Sequence, residues 1–461
     1  VYSENRQDEI VIAGETFRIQ HLLRRTACGF RPGEWRQWAD LGQEGALKRL
    51  VDYDDIPQTI EPLPTDVLGN LVAANDVDSL KRYWLLRFCE TSRPLEETMT
   101  LFWHGHFATS DYKVQNASIE WKQNELFRKH AMGNFRDLIG EMAIDPAMLI
   151  WLDGNNSKKK APNENFSREL MELFTMGVDG GYTEHDVKEG AKAYTGWSYD
   201  DDRNQVSFHP KDFNAQNKIY LGQEGNFGMD QALNIVARHP STARFISKKL
   251  FEFFVHDDPP PEELERLSAI YFKTHYSIRE LVRGVLSSPR FYSGEALYSR
   301  IKSPVQFATM MTKTLNLTYK WVGDIQNYTD SMGQQLLNPP NVKGWKQGRN
   351  WINTNTITAR LNFATHAVDQ LRYRGLARGH ITSALTYMDH DADKAFSSPE
   401  TAVSAIWAWL MPSAIMPDET RTHLVAYMKA GAPKDAKKEF YWDRAAGLVE
   451  LVFTCPEYQL A

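Results

Sequence analysis

The feature that most constrains this chain is the interval at which its large apolar side chains recur. Leu22, Leu23, Trp35, Trp38 and Leu41, then Leu80, Tyr83, Trp84, Phe88, Met99 and Phe102, then Leu126, Phe127, Phe135, Leu138 and Ile139 follow the three-to-four-residue repeat of a buried helix face. The punctuation agrees. Gly29 to Gly33 breaks the first run, Pro94 can open a helix behind a Ser92 cap, Gly133 and Pro146 separate later runs, and Thr183 with Asp186 has capping-box spacing. The expected fold is mainly α: an irregular multi-helix bundle with long polar loops and at most a short β hairpin. Its arm would be Val206-Ser207-Phe208-His209, inside the polar stretch from Tyr199 to Gly228.

A chain of 461 residues exceeds what one core normally serves, so sub-domains are expected. Residues 1–64 read as an N-terminal helical segment and linker, 65–228 as a helical core carrying the main polar motifs, and 229–461 as a C-terminal helical region with a Trp/Asn/Pro-rich loop at 333–360. A net charge of −6 gives none of the basic footprint that nucleic-acid binding needs, so that partner is excluded. No apolar run approaches the roughly 18 residues of a membrane span. Cys28, Cys89 and Cys455 are scattered, lack CxxC spacing and form no disulfide framework. The opening Val1-Tyr2-Ser3-Glu4-Asn5 has neither a charged region nor an apolar one and reads as a mature or trimmed terminus.

The densest chemistry lies in Asn163-Glu164-Asn165-Phe166-Ser167-Arg168-Glu169-Leu170-Met171-Glu172-Leu173-Phe174, where Asn163 can cap a helix buried through Phe166, Leu170, Leu173 and Phe174. Two readings of its polar face compete. Glu164, Arg168 and Glu172 have the i, i+4, i+8 spacing of a solvated salt-bridge ladder. Asn165, Glu169 and Glu172 instead form a stripe able to bind metal or to run acid/base chemistry, with Asp153 in the oxygen-rich loop just upstream. A second cluster, Trp103-His104-Gly105-His106, could ligate one divalent metal ion if the backbone is extended. In a helix the imidazoles would diverge by about 200°. A third, including Trp345, Trp351, Asn353 and Arg360, combines rings and amides suited to polyols, and Trp197 offers another platform. Turn-forming Asn and core Trp are the plain alternative.

Five segments taken together carry a resemblance: Phe102-Trp103-His104-Gly105-His106-Phe107, Gly133-Asn134-Phe135-Arg136-Asp137-Leu138, Asp145-Pro146-Ala147-Met148-Leu149, the Asn163 to Leu173 run, and Asn338-Pro339-Pro340-Asn341-Val342-Lys343-Gly344-Trp345. The chain resembles a large, mostly bacterial family known as domain of unknown function eighteen-hundred. His21-Leu22-Leu23-Arg24-Arg25 and Cys455-Pro456-Glu457-Tyr458-Gln459 extend the likeness over nearly the whole chain. The resemblance implies no established activity. Its members are frequently exported and encoded beside a sulfatase-like family, which implies a secreted or periplasmic location and work on a polymer such as a glycan. Gly105 stands where Asn is expected and Ser167 where Ala is expected.

Three functions follow as expectations. The first is a carboxylate-centred hydrolase acting on a carbohydrate or related polymer, with Asp153, Glu164 or Glu169 as acid and base. Trp103, Asn165, Arg168, Glu172, Trp197, Trp345, Trp351, Asn353 and Arg360 would then contribute to binding. The second is a metal-dependent protein built on His104 and His106. The third is a non-catalytic glycan-binding or assembly module whose polar clusters fix helix packing.

Overall fold

Several helices in this chain start where a side chain can accept the first free backbone N–H groups, and the computed structural model shows those caps in place. It describes residues 14–63, 76–318, 322–373, 375, 377–388, 390–412 and 414–461. Asn134, Asp145 and Asn163 cap the helices that follow them, and Thr183 and Asp186 form a reciprocal capping box. Pro94 does open a helix, but Ser92 does not cap it. The N-cap is Arg93, and the Ser92 hydroxyl donates to the Pro57 carbonyl instead (2.6 Å).

The elements that position the candidate residues are α1 (Glu15–Thr26), α2 (Val77–Glu90), α3 (Pro94–His106), α4 (Ala117–Lys129), α5 (Pro146–Trp151), α6 (Glu164–Glu169), α7 (Glu184–Ala193), α8 (Pro240–Phe254), α9 (Pro304–Thr314), α10 (Thr354–Tyr373) and α11 (Ala445–Thr454). A π-helical turn, Leu170–Thr175, continues α6 without a break. The fold is mainly α, as expected. Among the described residues there are two short antiparallel hairpins rather than at most one: β1 (Trp197–Asp200) with β2 (Gln205–Phe208), and β3 (Lys218–Tyr220) with β4 (Gln223–Gly225). The second closes over Leu221 and Gly222, whose φ values of 48° and 75° suit a two-residue hairpin turn, and is anchored by buried Lys218 and Tyr220.

Two large apolar clusters fill the interior. One gathers α1, the π turn, α8 and the helices between Ile278 and Tyr292. The other gathers α2, α9, α10 and α11. α3 and α4 stand between them: Met99, Phe102 and Phe127 join the first cluster, Leu101 and Trp121 the second. Among the described residues no helix is long and apolar enough to cross a membrane.

The expected loop at 333–360 ends at 353, since α10 begins at Thr354, and it docks on the C-terminal end of α3. The Leu337 N–H donates to His104 Nε2 (3.2 Å), the Asp111 N–H donates to the Leu337 carbonyl (3.1 Å), and Ser110 Oγ donates to Asn338 Oδ1. The approach is closest at Gly344, where a Cβ would lie 2.1 Å from the Gly105 carbonyl oxygen, and where φ is +71°. A side chain there meets both a steric wall and a left-handed backbone. We expect Gly344→Ala to undock this loop, lowering stability by roughly 2–4 kcal/mol and opening residues 338–350 to limited proteolysis. An unchanged digestion pattern and melting temperature would refute the close approach.

Candidate functional site

Asn163 builds the site from its N-terminal side. Its Oδ1 accepts the Asn165 N–H (2.8 Å), while its Nδ2 donates to the Leu152 and Asp153 carbonyls (2.9 and 2.8 Å), strapping the preceding loop to the start of α6. Beyond Glu169 the hydrogen bonding loosens from i+4 to i+5. The Met176 N–H donates to Met171 O (2.9 Å), and Thr175 Oγ1 donates to Leu170 O (2.5 Å). A π turn inserts one residue and changes the helix phase. Leu170, Met171 and Phe174 remain buried, while Glu172 turns away from the ladder begun by Glu164 and Arg168.

That change of phase decides between the two readings of the polar face. Arg168 binds Glu184 of α7 with both terminal nitrogens (2.5 and 2.8 Å) and reaches Glu164 at 3.3 Å, so Glu164 belongs to a charged ladder. The third rung is Glu184, not Glu172. Glu172 instead faces Lys343 of the docked loop, with 4.0 Å between Nζ and Oε1. Glu169 is half-buried, and no hydrogen bond from a described residue engages it. Burial pushes its carboxyl up, the neighbouring Glu172 charge adds to this, and Lys343 and Arg168 oppose it. The Tyr182 hydroxyl is pushed up by burial and by Glu172. The two polar clusters therefore meet where Glu172 faces Lys343.

The histidine pair behaves otherwise. α3 runs unbroken through Gly105, so His104 and His106 point to different neighbours. His104 lies against Trp84, Phe127 and Trp345, with Nε2 accepting from Leu337. His106 is packed by Phe102, Phe107 and Phe174, and its Nε2 donates to the Phe174 carbonyl inside the π turn (2.9 Å). The expected shared metal site is not formed: continuous helix separates the rings and a backbone group occupies each Nε2. Among the described residues no group of three or more His, Cys, Asp or Glu side chains could hold a metal ion.

The remaining candidates divide between core, surface and one pocket. Trp103 is fully buried, its Nε1 donating to Ala131 O (3.2 Å), and is a core residue rather than a binding surface. Arg360 is likewise sealed inside. It donates to Lys302 O (2.7 Å) and lies over the Phe307 ring, and burial pulls it down to about 10. Asp153 is exposed and pairs with Lys113 (2.9 Å). Asn165 is exposed on α6, Asn353 caps α10 through the Asn355 and Thr356 N–H groups, and Trp197 leans on Phe208 in the first hairpin. Trp345 and Trp351 do share a narrow pocket, with Arg300, Gln306, Gln334 and Gln347 around it.

A family model described as a protein of unknown function (DUF1800) matches residues 21–460. The chain belongs to this family. No curated protein and no solved structure matches it. The DUF1800 match spans both the π turn and the docked loop, so the meeting of Glu172 with Lys343 lies wholly inside it. Lys343, Tyr182 and Glu184 complete this site and were missed as site residues from sequence. Lys343 sits inside the Asn338 to Trp345 motif, but nothing in its spacing announces a partner 171 positions away. Ser167 is buried with an unbonded hydroxyl facing Gly190, which has no side chain to fill that space.

Burial holds both histidines down at about 3, with Lys249 adding to the effect at His106 and its bond to Phe174 opposing it. The unfolded chain takes up a proton near 6.5 while the folded chain does not, so stability is lost as pH falls from about 6.5 toward 3, by about 1.4 kcal/mol per unit and per histidine. His106→Gln keeps a donor for Phe174 but cannot ionise. Urea unfolding between pH 7 and 4.5 is expected to show a shallower acid limb in this variant, and an identical limb would contradict the assignment.

Proposed function

We propose that this DUF1800 chain is a carboxylate-centred hydrolase acting on a carbohydrate or related polymer, with Glu169 as proton donor and Glu172 as its carboxylate partner. The observation that carries the reading is the half-buried, unbonded Glu169 carboxyl beside Glu172. A carboxyl whose burial favours its protonated form, with a second carboxyl close by, is the pairing that glycosidic bond hydrolysis uses. Glu169 would give its proton to the leaving oxygen as the C–O bond breaks, and Glu172 would take a proton from the attacking water. Lys343 lies 4.0 Å from Glu172, and Tyr182 supplies a ring beside the pair. Glu164 and Asp153 are less suited, since Arg168 and Lys113 already hold them. An exported location, secreted or periplasmic, is part of this reading.

One observation favours a second reading, a glycan-binding module without catalysis. The pocket at Trp345 and Trp351, about 40 Å³, joins two rings to three glutamine amides and a guanidinium, groups of the kind that engage polyols, and it would have to widen to admit one. A screen of polysaccharides and aryl glycosides, read by release of reducing ends and by calorimetric binding, separates the two. Turnover by the wild type that falls at least a hundredfold in Glu169→Gln and in Glu172→Gln, with binding retained, supports the hydrolase. Binding without turnover supports the module. Turnover unchanged in both variants removes these carboxyls from the mechanism.

A further inference from the structure

At the opposite end of α3 from the histidines lies an open cleft of about 410 Å³ that the hydrolase reading does not use. Its walls come from five separate stretches of chain, represented by Tyr53, Arg87, Arg93, Arg128 and Arg279. The four guanidiniums are not equally occupied. Arg128 is saturated: Nε and one terminal nitrogen bind Glu97 (2.8 and 3.0 Å), and the other terminal nitrogen binds Glu125 (2.7 Å). Arg279 is held by the Val51 carbonyl (2.7 Å) and by Asp54 (3.0 Å).

Arg87 is different. Its Nε is committed to Glu97 (2.7 Å), but one terminal nitrogen reaches only the Tyr83 hydroxyl at 3.5 Å, and the other lies 3.9 Å from Glu96. Its side chain is 6% exposed, and it lines the cleft together with Arg93 and Glu96. Beside it Arg93 gives Nε to the Ile56 carbonyl (2.5 Å) and one terminal nitrogen to the Asp54 carbonyl (3.2 Å), which leaves the other to meet Glu96 at 3.4 Å, and Gln58 Nε2 reaches the same carboxylate at 3.4 Å. Three sets of donors thus crowd round one carboxylate without any of them bonding it well. A guanidinium fork binds best with two parallel bonds of about 2.8 Å to one planar or tetrahedral oxyanion. Glu96 is too distant to supply them.

We propose that this cleft binds a small molecule bearing a carboxylate or phosphoryl group, with the oxyanion held by Arg87 and Arg93 and the rest of the ligand against Tyr53 and Met132. The volume is within the usual range for small-molecule sites and well above that of a bare ion. Tyr53 is already flanked by Arg93 and Arg279 at 5.8 and 5.5 Å from its ring centroid, which fixes the ring as a wall. Glu96 lies at the same point, so ligand binding displaces its contacts with Arg87, Arg93 and Gln58. Burial, with the charge of Glu97 behind it, already raises the Glu96 carboxyl, which lowers the cost of that displacement.

The probes are inorganic phosphate and succinate, titrated calorimetrically into the whole chain against chloride at matched ionic strength. Arg87→Lys keeps a cation beside Glu97 but removes the fork. Arg93→Gln acts at the rim and leaves the Glu97 contacts untouched. Saturable binding of either probe, weakened at least tenfold in Arg93→Gln and in Arg87→Lys, is the expected result. Tighter succinate than phosphate identifies a carboxylate ligand, and the reverse a phosphoryl one. If Arg87→Lys fails to fold, Arg93→Gln alone decides. Absence of saturable binding to the wild type, or equal affinity in a folded variant, overturns the proposal.

Discussion

The packing of α3 against α2 and α4 turns on one buried carboxylate. Glu97 is fully enclosed and bonded at once by Arg87 of α2 (2.7 Å), by Arg128 of α4 (2.8 and 3.0 Å) and by the Trp84 indole of α2 (3.1 Å). Burying such ions costs several kcal/mol each, recovered only when partners and geometry are good, so the network is poor evidence for net stability. Its consequence is register. Sliding any of the three helices by a residue would leave a charge buried and unpaired, and the arginines hold the Glu97 carboxyl below its usual range despite burial.

A second set of buried cations works without carboxylates. Arg25 donates to the Phe254, Val255 and Ala461 carbonyls, Lys302 to Tyr458 O (2.5 Å), and Arg360 to Lys302 O (2.7 Å). These bonds join α1, the end of α8, α10 and the last residues of the chain. They satisfy carbonyls at segment ends that helix geometry alone leaves open. Burial pulls all three cations down, as expected where no countercharge is supplied. Arg360 therefore reads as a ligand-binding group from its polar neighbourhood and proves to be a structural one.

What sequence made legible was local. Caps at Asn163 and Thr183, the proline start at Pro94, the break at Pro146, and the helical recurrence of Leu80, Trp84 and Phe88 are set within a few residues, where short-range sterics and hydrogen bonds dominate. The candidate site was legible only as a segment. The π turn that separates Glu172 from Glu164 depends on burying Leu170, Met171 and Phe174 together, and on His106 taking the Phe174 carbonyl. Gly105 would make it easier for the backbone to leave the helix between the two histidines. The helix nevertheless continues, because α3 is packed on nearly every side, and burial of Phe102, Trp103 and His106 outweighs the roughly 1 kcal/mol that one glycine costs. The Tyr53, Arg87, Arg93, Arg128 and Arg279 lining could not be assembled from a linear pattern at all.

The two regions of interest are thus the two ends of a single thirteen-residue helix, about 20 Å long. Its first turn presents Glu96 to the arginine cleft with Glu97 buried behind it, and its last presents His104 and His106 to the docked loop and the π turn. Neither histidine exposes an atom for chemistry. Each instead ties α3 to the segment that carries one of the facing groups: His104 to the Leu337 loop leading to Lys343, and His106 to the turn carrying Glu172. The Glu172 and Lys343 pair is consequently positioned from behind by two neutral imidazoles on one rigid helix. This makes the His-Gly-His stretch a structural support for the carboxylates rather than a metal centre of its own.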